Sequence, residues 1–155
     1  MMNKRVTAFL FVSLLIALAL VFATAALAAG GAPRVTTMSG AEEAPGPGDP
    51  DGRGWAEIRL NVEERTICWA WSVEDIAAPT AAHIHKAPAG SPGPVVVGLP
   101  PVSGELSSSG CATNQDKALI KDIIRNPDQY YVNVHNAEFP GGAVRGQLSN
   151  RGQSR

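Results

Sequence analysis

Two consecutive runs of alternating residues constrain this chain most. Ala56, Ile58, Leu60 and Val62 share one parity, and Glu57, Arg59 and Asn61 the other. After Glu63-Glu64-Arg65, which reads as a turn, Ile67, Trp69, Trp71 and Val73 alternate against Cys68, Ala70 and Ser72. A period of two sends successive side chains to opposite faces of a pleated strand, so both runs predict half-buried strands. The Trp face is assigned to the core, where large aromatics bury most apolar area. A stacking platform for a ligand is the alternative for the pair. With 16 Gly and 12 Pro, the rest of the chain favours short strands and many turns over a helical bundle.

Five further strands are predicted at 35–39, 82–86, 95–99, 130–135 and 143–149. The Pro/Gly-rich stretch 40–54 reads as a loop, and so does Ser107-Ser108-Ser109-Gly110-Cys111. One helix is expected over 114–125, started by Thr113 and Asp116 as a capping box. Its apolar stripe is Leu119, Ile120, Ile123 and Ile124, and Asn126-Pro127 ends it. The last two strands pair as a hairpin with Val134 against Val144 and Tyr130 against Leu148 inside. Tyr131, Asn133, His135, Arg145 and Gln147 then project outward, because a one-residue slip would invert the pattern. About seven strands and one inserted helix predict an all-β Greek-key β-sandwich.

The N-terminus is read apart from this fold. Lys4 and Arg5 precede an apolar run from Val6 to Ala23, and Ala26-Leu27-Ala28 fits a small-x-small cleavage site. That order is the pattern of a secretory signal peptide over 1–28, with a retained membrane anchor as the alternative. A short leader at 29–34, a domain at 35–149 and a tail at 150–155 complete the expected organisation. The chain is thus expected to be secreted or periplasmic, with no membrane association after cleavage. Lys+Arg number 13 and Asp+Glu 14, with no basic block, so nucleic acid is not an expected partner.

Only Cys68 and Cys111 are present. In an oxidising compartment two such cysteines usually pair, with a chain-entropy stabilisation of about 4 kcal/mol. Two buried thiols that never meet are the alternative. Since Cys111 precedes the predicted helix, the bridge is expected to pin the helix start over one side of the sheet.

The chain has three histidines, His83, His85 and His135. His83 and His85 leave one face of a strand, with Ile84 on the other. An exposed imidazole pair joined by a third is a first shell for a single Zn²⁺ or Cu²⁺ ion. Histidines that merely organise the following Pro/Gly-rich loop are the competing reading. Glu42, Glu43, Asp49 and Asp51 read as solvated loop carboxylates able at most to hold Ca²⁺ loosely. Ser91, Ser107, Ser108 and Ser109 lack a nucleophile elbow, and no catalytic residue is assigned.

The stretches Cys68-Trp69, Ala82-His83-Ile84-His85-Lys86-Ala87-Pro88-Ala89-Gly90, and Tyr130-Tyr131-Val132-Asn133-Val134-His135 with Gly141-Gly142-Ala143-Val144-Arg145-Gly146-Gln147-Leu148 resemble the CHRD (chordin) domain, in its microbial exported type. The resemblance implies an immunoglobulin-like sandwich or barrel. It also implies a binding or structural module, its partner an extracytoplasmic protein or a cell-envelope ligand, with no established catalytic activity. A more distant similarity is to copper/zinc superoxide dismutases, which also present His-x-His on a Greek-key strand and an Arg near copper. Three histidines are too few for a binuclear centre, which leaves a mononuclear one. On the outward face Tyr131, Asn133, Arg145 and Gln147 surround it.

Overall fold

The structure is a computed structural model that describes residues 31–150. The expected signal segment 1–28 and residues 151–155 of the tail lie outside the described residues. Eight antiparallel strands form one sheet: β1 (Ala32–Ser39), β2 (Arg53–Asn61), β3 (Thr66–Glu74), β4 (Pro79–Lys86), β5 (Val95–Gly98), β6 (Ser107–Ala112), β7 (Tyr130–Asn136) and β8 (Val144–Gln147). The helix α1 (Lys117–Arg125) lies between β6 and β7 in the chain. Strand order is β5-β4-β7-β8-β1-β2-β3-β6. Two four-stranded halves therefore meet at β8–β1, where Ser39 pairs Arg145 and Val35 bridges Ser149. The inner faces of both halves supply one core, including Ile58, Leu60, Trp71, Ile84, Val132 and Leu148. This is the all-β sandwich architecture read from the sequence, rolled from a single sheet and with eight strands instead of about seven.

Both alternating runs fold as read. Ala56, Ile58 and Leu60 are buried on β2, and Ile67, Trp71 and Val73 on β3. Trp71 is 1% exposed, and its Nε1–H donates to Leu99 O at 3.3 Å, tying the two halves across the core. Trp69 is only partly buried, which modifies the assignment of the pair to the core.

The segment expected to be a loop at Ser107-Ser108-Ser109-Gly110-Cys111 is strand β6, paired to β3 from Ile67↔Ala112 to Ser72↔Ser107. Its sequence carries no apolar alternation because Trp69 occupies the inner surface there. A Cβ on Gly110 would lie 2.7 Å from the Trp69 ring. The strand is thus shaped by its neighbour's bulk.

Cys68 and Cys111 sit directly opposite each other and are joined by a disulfide. The bridge staples β3 to the edge strand β6 rather than pinning the helix. It belongs to the outer parity of β3, whereas Ile120 and Ile123 of α1 enter the core. The helix begins three residues later than expected, since Asn114 holds a positive φ of 57° that a right-handed helix does not admit. Asp116 is the N-cap and accepts from Ala118 N at 2.8 Å. At the other end the buried guanidinium of Arg34 donates to Ile124 O, satisfying a carbonyl that the last helical turn leaves open. Arg34 is part of β1, so the strand begins at Ala32, inside the expected leader.

Candidate metal centre

Strand pairing decides where the histidines meet. On β4 and β7, His83 stands opposite Asn133, His85 opposite Tyr131, and Ala81 opposite His135. His83 and His135 are therefore diagonal neighbours on the outer face of one ladder, within reach of ring side chains. One ring nitrogen of each of His83, His85 and His135 lies within 4.8 Å of the others. His83 Nδ1 is 3.1 Å from His135 Nε2. In a tetrahedral zinc site with Zn–N near 2.0–2.1 Å, two imidazole nitrogens stand about 3.3 Å apart.

Each ring is aimed by a neighbour. His135 Nδ1–H donates to Pro140 O at 3.0 Å, and His85 Nδ1–H donates to Gly93 O at 2.8 Å. A neutral imidazole that donates through Nδ1 carries its lone pair on Nε2. His85 Nε2 is buried with no hydrogen-bond partner among the described residues. Metal-ligating histidines commonly have this arrangement, one nitrogen donating to a backbone carbonyl and the other free. Burial, followed by the neighbouring histidines, pulls the His83 pKa below its usual value. Burial is also the main cause of a lowered His135 pKa, opposed by the Pro140 carbonyl. Both shifts favour the neutral, ligating form.

The surrounding residues were expected to project into solvent. They have the predicted outward parity, and Val134↔Val144, Asn133↔Arg145 and Tyr131↔Gln147 are in the predicted register. Yet Asn133 is 2% and Arg145 1% exposed, and Tyr131 and His85 are buried as well. The Pro/Gly-rich segments 87–94 and 43–50 roof this face, which the strand pattern alone does not reveal. Arg145 donates to Ser91 O and Pro88 O, both at 3.0 Å, and Gln147 donates to Ala87 O at 2.9 Å. The Arg145 guanidinium lies 3.5 Å from the Tyr131 ring centroid, and Tyr131 stacks on His85 at 4.8 Å with a 6° tilt. Arg145, Tyr131 and His85 form one continuous stack beneath the loop. Gly93 is needed where that loop meets β4, because a Cβ there would lie 2.1 Å from Lys86 O.

Glu43 was read as a solvated carboxylate and is not. Its Oε1 is buried without a hydrogen-bond partner among the described residues. Burial raises its pKa to about 7, against the opposing pull of Arg145, the Ala44 backbone and a hydrogen bond from Asn133. Asn133 Oδ1 lies 3.1 Å from His135 Nε2. Asp49 is also buried, with its pKa raised by burial and by Asp51. No periodicity marks Glu43. The only sequence signal was its place among Pro and Gly residues able to fold closely over a sheet.

The family model described as the CHRD domain matches residues 34–148. The chain belongs to the CHRD domain family. No curated protein matches it, and no solved structure does. The matched span runs from β1 to just beyond β8, so the triad, its roof and the disulfide are all parts of the CHRD domain.

Proposed function

We propose that this CHRD domain is an exported binding module that holds one zinc or copper ion between His83, His85 and His135. The observation that carries the reading is the convergence of three imidazoles, two of them oriented by backbone carbonyls. An all-imidazole donor set suits Zn²⁺ and Cu²⁺. His83 Nδ1–H donates to His135 Nε2 across 3.1 Å. A metal ion would take that proton's place, the His83 proton moving to Nε2. Asn133 Oδ1 stands 3.1 Å from His135 Nε2, an oxygen acceptor at the edge of the triad.

The disulfide favours an oxidising compartment, in keeping with the export signal read at 1–28. Among the described residues no helix is long and apolar enough to cross a membrane. The partner of the module is then an extracytoplasmic protein or a cell-envelope ligand.

Isothermal titration with Zn²⁺ and Cu²⁺ tests the reading. The expected result is one ion per chain bound more tightly than about 10 µM, a free energy near −7 kcal/mol, and loss of that binding in His85→Ala. No saturable binding, or equal binding by the variant, would leave the histidines a purely structural role.

A further inference from the structure

On the half of the sheet away from the histidines, one large aromatic stands on the outer face. Trp55 of β2 is 48% exposed. The ladders set it between Thr37 of β1 and Ser72 of β3, with Ser107 of β6 next in the same row. A single exposed apolar residue is ordinary, but Trp55 lines a cleft. The cleft holds about 410 Å³, within the size range of small-ligand sites. The outer faces of β3 and β6 contribute Ala70, Ser72, Ser107 and Ser109, and the loop before β6 contributes Val102 and Glu105.

That loop is fixed in place. Ser108 Oγ–H donates to Pro100 O at 2.7 Å, and Val73 N–H donates to Leu106 O at 2.8 Å. Glu105 N–H donates to Val102 O at 3.0 Å, closing a turn in which Gly104 holds a φ of 80°. The cleft is therefore formed before anything enters it.

Its lining selects the occupant. Glu105 is the one charged residue there. The arginines that share the Trp55 face of β2 are taken up by carboxylates: Arg53 by Glu74 at 2.8 Å and by Asp75, Arg59 by Glu57 at 2.6 Å. An anionic ligand thus finds no uncommitted cation. The side chains of Ser72, Ser107 and Ser109 have no hydrogen-bond partner among the described residues. Hydroxyls both donate and accept, so they match an uncharged ligand rich in hydroxyl groups. A pyranose ring also has a flat face of weakly positive C–H bonds, which stacks on the negative face of an indole. Its neighbouring hydroxyls donate together to one carboxylate.

We infer that this cleft binds a neutral polysaccharide chain, with one pyranose ring stacked on Trp55 and its hydroxyls bonded to Glu105 and the three serines. Small side chains on β3 and β6 keep the surface flat, which suits an extended β-1,4-linked chain. The inference goes beyond the metal-binding reading and does not depend on it, since no histidine lines the cleft.

Titration with cellohexaose and with chitohexaose, both uncharged and β-1,4-linked, tests it by intrinsic fluorescence with acrylamide as quencher. At least one is expected to bind with a Kd of about 0.1–1 mM and to shield an indole from acrylamide. The affinity is expected to stay constant from about 0.05 to 0.5 M NaCl, and the polyanion hexagalacturonate is expected not to bind. Trp55→Ala should weaken binding at least about tenfold, and Trp55→Phe, which keeps an aromatic face, should weaken it less. Trp55 is exposed, so neither change should lower the melting temperature appreciably, which separates lost binding from lost fold. Wild type that binds neither neutral hexaose, equal binding by Trp55→Ala, or equally tight binding of hexagalacturonate would each overturn the inference.

Discussion

On β2, β3 and β6 the face turned away from the core carries Trp55, Glu57, Arg59, Ser72 and Ser109, all at least partly open to solvent. The same face on β4, β7 and β8 buries His85, Tyr131, Asn133 and Arg145. Both halves obey one pleat and contribute to one core. They differ in what lies outside it: the first half is stapled by a disulfide, the second is roofed by loops hydrogen-bonded to buried polar groups. Burying polar and charged groups costs free energy even when they are paired. Natural proteins accept such costs chiefly at functional sites.

The sharpest way to probe the contrast is to damage the stapled half. Trp71→Ala removes a fully buried side chain and its hydrogen bond to Leu99. It is expected to cost about 3–5 kcal/mol in urea unfolding, and Trp69→Ala, at a partly buried site, less. Replacing Cys68 and Cys111 together by Ser should cost about 2–4 kcal/mol. The same variant should leave metal affinity unchanged, because the bridge lies on the other half. A linked loss of metal binding would show that the halves are not separable.

In the roofed half the order is reversed, with smaller stability effects and larger effects on binding. Arg145→Met keeps much of the side-chain volume but strips Pro88 O and Ser91 O of their donor and unclamps Tyr131. About 1–3 kcal/mol of stability is expected to be lost, together with roughly tenfold in zinc affinity, measured by unfolding and titration on the same preparation.

The smallest expected effect is a gain. The Glu43 pKa is raised to about 7 from 4.5, so the folded state holds its proton more tightly than the unfolded chain does. Its contribution is therefore present at low pH and lost as pH rises through about 7. Glu43→Gln should then be more stable than wild type by about 1 kcal/mol at pH 8, discounted for partial exposure. The difference should close as pH falls toward 4.5, which thermal melts across that range would show. An unchanged difference from pH 8 to pH 5 would mean that Glu43 titrates as an ordinary carboxylate.

The division between the halves also explains what could be read in advance. Alternation on β2 and β3 is visible because one face meets apolar core and the other meets water. The closing hairpin was legible for a related reason, with Val132, Val134 and Val144 fixing the parity of His135, Asn133 and Arg145. β6 was not legible, because its Ser, Gly and Cys residues accommodate the Trp69 ring instead of burying apolar side chains of their own. The roof was invisible as well. Pro and Gly announce a turn but not which surface it covers, so the burial of Arg145 and of the Glu43 carboxyl emerged only from the folded chain. The three histidines could be named and their face assigned. Their convergence depended on the β4–β7 pairing, a long-range register that no local pattern encodes.

X-ray absorption at the zinc edge of the loaded protein tests the central claim most directly. The account predicts a nitrogen shell at about 2.0–2.1 Å with the outer-shell scattering of three imidazoles, reduced to two in His135→Ala. A spectrum with oxygen ligands and no imidazole signature, or one unaltered by that substitution, would contradict it.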